Sequence, residues 1–138
     1  MKDFYLALAL DAESRTLIQN LWPPRHKVRL SDHITIQRDV TELGMALMNA
    51  DIKPRVRLLG YAYNERVDCA LVLFNGEVTR PDGHFYHVTM SHIPGATPVE
   101  SNAMIHATLA QRRVQITPGD IRLTGHVRLL ARSKREQT

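Results

Sequence analysis

Two stretches of the chain place a hydroxyl side chain two residues after an imidazole. His33 is followed by Thr35 in the segment SDHITI, and His87 is followed by Thr89 in the segment YHVTMS. Both segments alternate in polarity and are rich in β-branched residues, which predicts strands. A strand sends residues i and i+2 to the same face, so each segment offers an imidazole and a hydroxyl side by side. If the two strands are neighbours, both pairs converge on one cleft.

Such a convergence is suited to phosphodiester cleavage. Histidine has the unperturbed pKa closest to working pH, so two imidazoles can divide the roles of base and acid. One takes a proton from the attacking oxygen, and the other gives a proton to the leaving oxygen. Hydroxyl donors such as Thr35 and Thr89 stabilise the charge that develops on the phosphoryl oxygens. The sequence does not assign the base and the acid between His33 and His87.

The His-x-Thr pattern is short, and a third copy occurs at His106-Ala107-Thr108. That copy lies in a predicted helix, where residues i and i+2 do not share a face. The strand context favours the other two copies, and a pair of ordinary structural histidines is the competing interpretation. The chain shows neither a His-x-x-x-His helix nor a cluster of carboxylates and histidines at ligand spacing, so no bound metal is expected.

The hydrophobic pattern predicts the elements that position these residues. Strands are predicted at 4–10, 30–37, 54–63, 66–74, 84–91, 112–117 and 121–131, and helices at 11–21, 39–49 and 101–110. Turn signals such as Asn75-Gly76 and Pro81-Asp82-Gly83 separate strands that are joined as hairpins. Hairpin-joined strands covered by a few helices indicate an α+β protein with a mostly antiparallel sheet. The length of 138 residues fits one domain over 1–138.

The composition of the chain limits the cellular compartment and the kinds of partner that we expect. The single cysteine, Cys69, lies inside an apolar run, so we expect a core residue in a reducing, cytoplasmic compartment. No run approaches the length of a membrane span. Asp3 stands where a signal peptide needs positive charge, which favours a first strand over a leader. The net charge of +4 favours anionic partners, nucleic acid among them, and a solubilising basic tail is the plainer interpretation.

The paired motifs resemble a known superfamily. His-x-Thr motifs on strands, one in each half of a small α+β protein, are the hallmark of the 2H phosphoesterases, which include 2′-5′ RNA ligase-like proteins and cyclic nucleotide phosphodiesterases. Residues 87–102 are closely similar to the second motif and following loop of the branch called Swiss Army Knife RNA repair-like proteins, and the remaining chain is loosely similar. The resemblance implies a bilobal fold of two pseudo-symmetric halves, each placing one motif strand in a central groove.

The resemblance also implies the reaction and its residues. It implies metal-independent attack on a phosphodiester, often a 2′,3′-cyclic phosphate at an RNA end, with no cofactor. By motif match, His33 and His87 form the acid–base pair, and Thr35 and Thr89 bind the phosphate. Further groove candidates lie beside or after the second motif: Phe85, Ser91, His92, Ser101 and Asn102. Packing is the alternative role for Phe85, and helix capping is the alternative for Ser101 and Asn102.

Three functions therefore compete. The first is hydrolysis of 2′,3′-cyclic phosphates or related RNA-type phosphodiesters by the pair His33 and His87. The second is hydrolysis of a signalling cyclic oligonucleotide at the same site. The third is a non-catalytic module that binds an RNA end or a nucleotide. All three expect the two imidazoles to face one groove, whereas structural histidines would point into separate cores.

Overall fold

The structure of the chain, a computed structural model, describes residues 4–40 and 53–131. Nine strands and two helices lie within these residues. They are β1 (Phe4–Leu10), α1 (Ala12–Leu21), β2 (Val28–Arg29), β3 (His33–Val40), β4 (Val56–Tyr63), β5 (Val67–Phe74), β6 (His87–His92), α2 (Glu100–Ala110), β7 (Gln115–Ile116), β8 (Arg122–Leu123) and β9 (Gly125–Ala131).

The strands of the described residues form one sheet in the order β7-β4-β5-β6-β3-β1-β9, with β2 beside β6 and β8 beside β4. All of their pairings are antiparallel. The predicted α+β class with a mostly antiparallel sheet is therefore confirmed. The division into two pseudo-symmetric lobes stays a prediction of the resemblance.

The alternation of residue size in β1 shows how the two faces of the sheet differ. Leu8 and Leu10 are buried on the face that packs against Ile18 of α1. Ala7 and Ala9 alternate with them and therefore belong to the opposite face. Because Ala7 is paired with Thr35 and Ala9 with His33, these small side chains lie beside the first motif.

The two helices cover different parts of the sheet. Asp11 caps α1 by accepting a hydrogen bond from the Ser14 amide at 2.8 Å. On the other face, Met104 and Ile105 of α2 pack against buried residues of β4 and β5, Cys69 among them. Burial raises the pKa of the Cys69 thiol, and the neighbouring Asp68 acts in the same direction. The structure thus places Cys69 in the core, as the apolar run predicts.

Several element boundaries differ from the sequence-based prediction. The strand expected over 84–91 is β6 at His87–His92, and the strand expected over 112–117 is only Gln115–Ile116. The strand expected over 30–37 starts at His33, because Ser31 has a left-handed φ of 64° that bends the chain between β2 and β3. The helix expected over 39–49 lies outside the described residues except for its first two positions, which belong to β3. The last strand, expected over 121–131, is divided at Thr124 into β8 and β9.

Candidate functional site

The two motif strands are neighbours in the sheet. Ile34 of β3 is the register partner of Val88 in β6, and each is the middle residue of its His-x-Thr motif. In an antiparallel pair the register continues in opposite directions, so His33 falls opposite Thr89 and Thr35 falls opposite His87. Ile34 and Val88 are fully buried on the α1 face. Their neighbours on either side therefore belong to the opposite face, which carries both imidazoles and both hydroxyls.

Both motifs line one cleft on that face. Its lining residues are Tyr5, Leu30, His33, Thr35, Arg80, His87, Thr89, Pro98, Val99 and Asn102. The cleft has a volume of about 40 Å³, far below the roughly 300–1,000 Å³ of pockets that enclose a whole drug-sized ligand. It therefore has room for a small chemical group and not for a whole ligand. A larger cavity of about 570 Å³ lies beside α2 and contains neither strand motif.

His87 is held in one orientation by the backbone. Its Nδ1 lies 2.8 Å from the carbonyl oxygen of Phe85, and because a carbonyl only accepts, Nδ1 carries the hydrogen. In the neutral ring Nε2 is then the proton acceptor. Burial lowers the pKa of His87 to about 4; the bond to Phe85 opposes this shift, and the charge of Arg80 adds to it. His87 is therefore neutral at physiological pH.

His33 has a different environment. Its Nδ1 lies 3.3 Å from Oδ1 of Asp32, within ion-pair range. The contact with His33 is the largest cause that lowers the pKa of the Asp32 carboxyl, so a carboxylate stands beside this ring. A neighbouring carboxylate stabilises an imidazolium cation. Tyr5 packs against the same imidazole, with ring centroids 5.5 Å apart and a tilt of 47°.

The second motif contacts the start of α2. Oγ1 of Thr89 lies 3.0 Å from Oγ of Ser101, which is fully buried. Pro98, Val99 and Asn102 line the cleft beside it. Among the described residues, Oδ1 of Asn102 is buried without a hydrogen-bond partner. The structure thus places Asn102 in the cleft wall and Ser101 behind Thr89.

Three groove candidates lie away from the cleft. Ser91 points to the α1 face, because β6 carries one residue more than β5 between the pairs Cys69–Thr89 and Asp68–Ser91. This β-bulge interrupts the two-residue period on which the prediction for Ser91 depends. His92 is only 1% exposed, and its Nδ1 contacts the carbonyl oxygen of Ile93. Phe85 packs against the core below α2 and against His106.

The structure adds one residue that sequence reasoning missed. Arg80 lies in the connection between β5 and β6, lines the cleft, and has a side chain only 2% exposed. Its Nε and Nη2 donate to the two carboxylate oxygens of Asp82 at 3.1 and 2.9 Å. The direction of a side chain in a loop cannot be predicted from a sequence period. The turn signal Pro81-Asp82-Gly83 was the only feature of the sequence next to Arg80 that pointed to a defined local structure.

Within residues 4–40 and 53–131, no group of three or more His, Cys, Asp or Glu side chains is arranged to hold a metal ion. Neither helix of these residues has the length and apolar character needed to cross a membrane.

A scan of the sequence against protein-family models finds no match, and no curated protein matches it. Among solved structures, the fold is similar to that of a fungal RNA kinase, with a TM-score of 0.66 and 14% sequence identity. The similarity covers 96% of this chain and 46% of the kinase chain, so this chain spans about half of that protein's length. At this level of identity, the likeness establishes a shared fold alone.

Proposed function

We propose that the chain is a metal-independent phosphodiesterase that hydrolyses 2′,3′-cyclic phosphate or related RNA-type phosphodiester bonds. The proposal is carried by the register pair Ile34–Val88, which brings both His-x-Thr motifs into the lining of one cleft. Two unrelated structural histidines have no reason to share a cleft with two threonine hydroxyls and a buried arginine. The fold neighbour is named as an RNA kinase, which is consistent with an RNA-type substrate.

The environments of the two imidazoles assign their roles in this proposal. His87 is the base, since its Nδ1 hydrogen is held by a carbonyl oxygen and its Nε2 is free to accept a proton. His33 is the acid, since its Nδ1 lies 3.3 Å from the Asp32 carboxylate, a partner that His87 does not have. A backbone carbonyl beside one ring and a carboxylate beside the other thus give the two imidazoles unequal environments.

The reaction follows from these roles. His87 removes a proton from water, and the water oxygen forms a bond to phosphorus. The bond from phosphorus to one ribose oxygen breaks, and His33 gives its proton to that oxygen. The hydroxyls of Thr35 and Thr89 donate to the non-bridging oxygens, where charge develops. The product is a phosphomonoester, and exchange with solvent returns each imidazole to its starting state.

Hydrolysis of a signalling cyclic oligonucleotide would use the same groups and is the second candidate. The cleft encloses little more than a phosphoryl group, so its geometry does not depend on the nucleosides attached to that phosphate. Only a comparison of substrates separates the two candidates.

The test is an assay in excess EDTA with three substrates: adenosine 2′,3′-cyclic phosphate, RNA ending in a 2′,3′-cyclic phosphate, and a cyclic dinucleotide. We expect chromatography to show phosphomonoester release from at least the first two. His33→Ala and His87→Ala are each expected to lower kcat by about 10²–10⁴-fold, as for loss of a general acid or base. His106→Ala is the matched control, because it removes the imidazole of the third His-x-Thr copy, on the exposed side of α2.

Each outcome decides between the three functions. Cleavage of the cyclic dinucleotide alone favours the second candidate. If the protein binds these ligands with no turnover, or if turnover survives both histidine substitutions, the phosphodiesterase proposal is wrong. Binding without turnover would favour the non-catalytic module.

A further inference from the structure

Arg80 gives the cleft a permanent positive charge. Its guanidinium is nearly inaccessible to bulk water, yet it shares the lining of the cleft with His33 and His87. Among the described residues, no aspartate or glutamate lines that cleft. The groups facing a ligand are therefore hydroxyls, imidazoles, an amide and one cation, a set that complements an anion.

A local turn fixes the position of this charge. The Arg80 amide donates to the carbonyl oxygen of His84 at 2.8 Å, and the Gly83 amide donates to the carbonyl oxygen of Arg80 at 2.9 Å. Gly83 has a φ of +89°, which side chains disfavour, so the turn depends on a glycine there. The Asp82 carboxylate accepts one hydrogen bond from the His84 amide at 3.0 Å and another from the Arg80 guanidinium. The arginine is thus oriented before any ligand arrives.

The ion pair leaves part of the guanidinium available. Its two bonds to Asp82 use Nε and Nη2, and no described residue bonds Nη1. Asp82 is 41% exposed, so solvent screens the carboxylate while the arginine faces the cleft. Partial burial raises the pKa of Asp82, but the hydrogen bonds from Arg80 and from the His84 amide outweigh it and lower the pKa. Asp82 is therefore ionised at neutral pH and keeps the arginine in place.

We propose that Arg80 is a phosphate-binding residue of this cleft and that Asp82 is its positioning residue. The inference rests on the proposed function for its substrate class, a nucleotide phosphodiester or phosphomonoester. Arg80 donates from Nη1 to a non-bridging phosphate oxygen in the cleft that it lines together with Thr35 and Thr89. Lysine is not equivalent at this position, because a planar guanidinium can bind Asp82 and a phosphate at once.

The test compares Arg80→Ala, Arg80→Lys and Asp82→Asn with a matched control. Arg122→Ala removes an arginine that also pairs with an aspartate two residues away, Asp120, at 3.2 Å on the exposed surface. Binding of adenosine 3′-monophosphate is measured by calorimetry, so this readout does not require turnover. We expect a loss of affinity of at least about tenfold for Arg80→Ala, a smaller loss for Arg80→Lys, and a change below about twofold for Arg122→Ala.

Kinetic measurements distinguish a direct contact between Arg80 and the ligand from a purely structural role of Arg80 in the turn. We expect Arg80→Ala to lower kcat/KM for adenosine 2′,3′-cyclic phosphate by about 10²–10³-fold, with partial rescue by millimolar guanidinium but not by equal sodium chloride. Asp82→Asn, which keeps an acceptor for the His84 amide, is expected to raise KM more than it lowers kcat.

Unchanged affinity in a folded Arg80→Ala or Arg80→Lys protein would overturn the inference, and so would a wild type that does not bind the monophosphate. Binding that depends on Arg80 in a protein without turnover would keep the inference and reject the phosphodiesterase proposal.

Discussion

The Nδ1 of His87 donates its hydrogen to the carbonyl oxygen of Phe85, two residues earlier, at 2.8 Å. A carbonyl holds the imidazole in one tautomer without adding a charge, whereas the corresponding atom of His33 faces a carboxylate. The two His-x-Thr motifs look equivalent in sequence, but their partners make them unequal. This inequality is the physical basis on which we propose separate base and acid roles.

We expect His87 to remain neutral until the pH falls to about 4. The charged or titratable groups around it are Arg80 and His84 from the β5–β6 connection and His33 from β3, and each lowers its pKa in addition to burial. Two-dimensional ¹⁵N NMR at pH 7 should show the hydrogen on Nδ1. Arg80→Met should move the midpoint to higher pH, because it removes a neighbouring cation.

Arg122→Ala controls for net charge in this titration, since that arginine lies on the exposed surface. A hydrogen on Nε2 of His87 at neutral pH, or a midpoint indifferent to Arg80, would contradict the assignment of His87 as the base.

The free energy of unfolding should fall as the pH drops from about 6.5 to 4. His87 titrates near 6.5 in the unfolded chain and near 4 in the folded protein, so between these values the unfolded state binds a proton that the folded state does not. His87→Asn, whose amide can still donate to the Phe85 carbonyl, should reduce this fall by on the order of 2 kcal/mol.

Urea unfolding at pH 7, 5.5 and 4.5 measures that difference. The lowered pKa values of Asp32 and Asp82 act mainly at still lower pH and are present in both proteins. Parallel pH curves for wild type and variant would count against a lowered pKa of His87.

The hydroxyl of Ser101 should orient that of Thr89, since the two oxygens lie 3.0 Å apart behind the cleft. Ser101→Ala is expected to cost about 1 kcal/mol of stability, as for a buried hydrogen bond, and to lower kcat/KM several-fold. Thr108→Val is the control, because that buried hydroxyl bonds the Met104 carbonyl within α2, away from the cleft. Equal losses of activity in the two variants would mean that Ser101 acts through stability alone.

Removal of the carboxylate next to His33, the proposed acid, should weaken turnover without removing it. Asp32 is half-exposed, so solvent screens its charge, and we expect Asp32→Asn to lower kcat only several-fold at neutral pH. Asp120→Asn alters another exposed aspartate in an ion pair and should leave kcat unchanged. Full activity in Asp32→Asn would show that His33 does not need this carboxylate.

The strand alternation was enough to predict that His33 lies with Thr35 and that His87 lies with Thr89, because a period of two is a local property of the backbone. The pairing of β3 with β6 needed the resemblance or the fold, since register between distant strands is not a local property. The side of the sheet on which Ser91 lies could not be predicted from the sequence, because the bulge depends on the pairing of β6 with β5. Arg80 was missed for a related reason: its direction is set by a turn and a carboxylate rather than by a repeat.

The bulge in β6 makes the length of that strand as important as its composition. From Met90 onward, the extra residue sends Ser91 towards Asp68, whose carboxylate also accepts the Arg25 amide at 3.2 Å. Deletion of Met90 would therefore remove the bulge and still leave Ser91 opposite Asp68, but it would take a fully buried side chain out of the core. The extra residue adds a core side chain to β6 and turns Ser91 away from the face of Thr89.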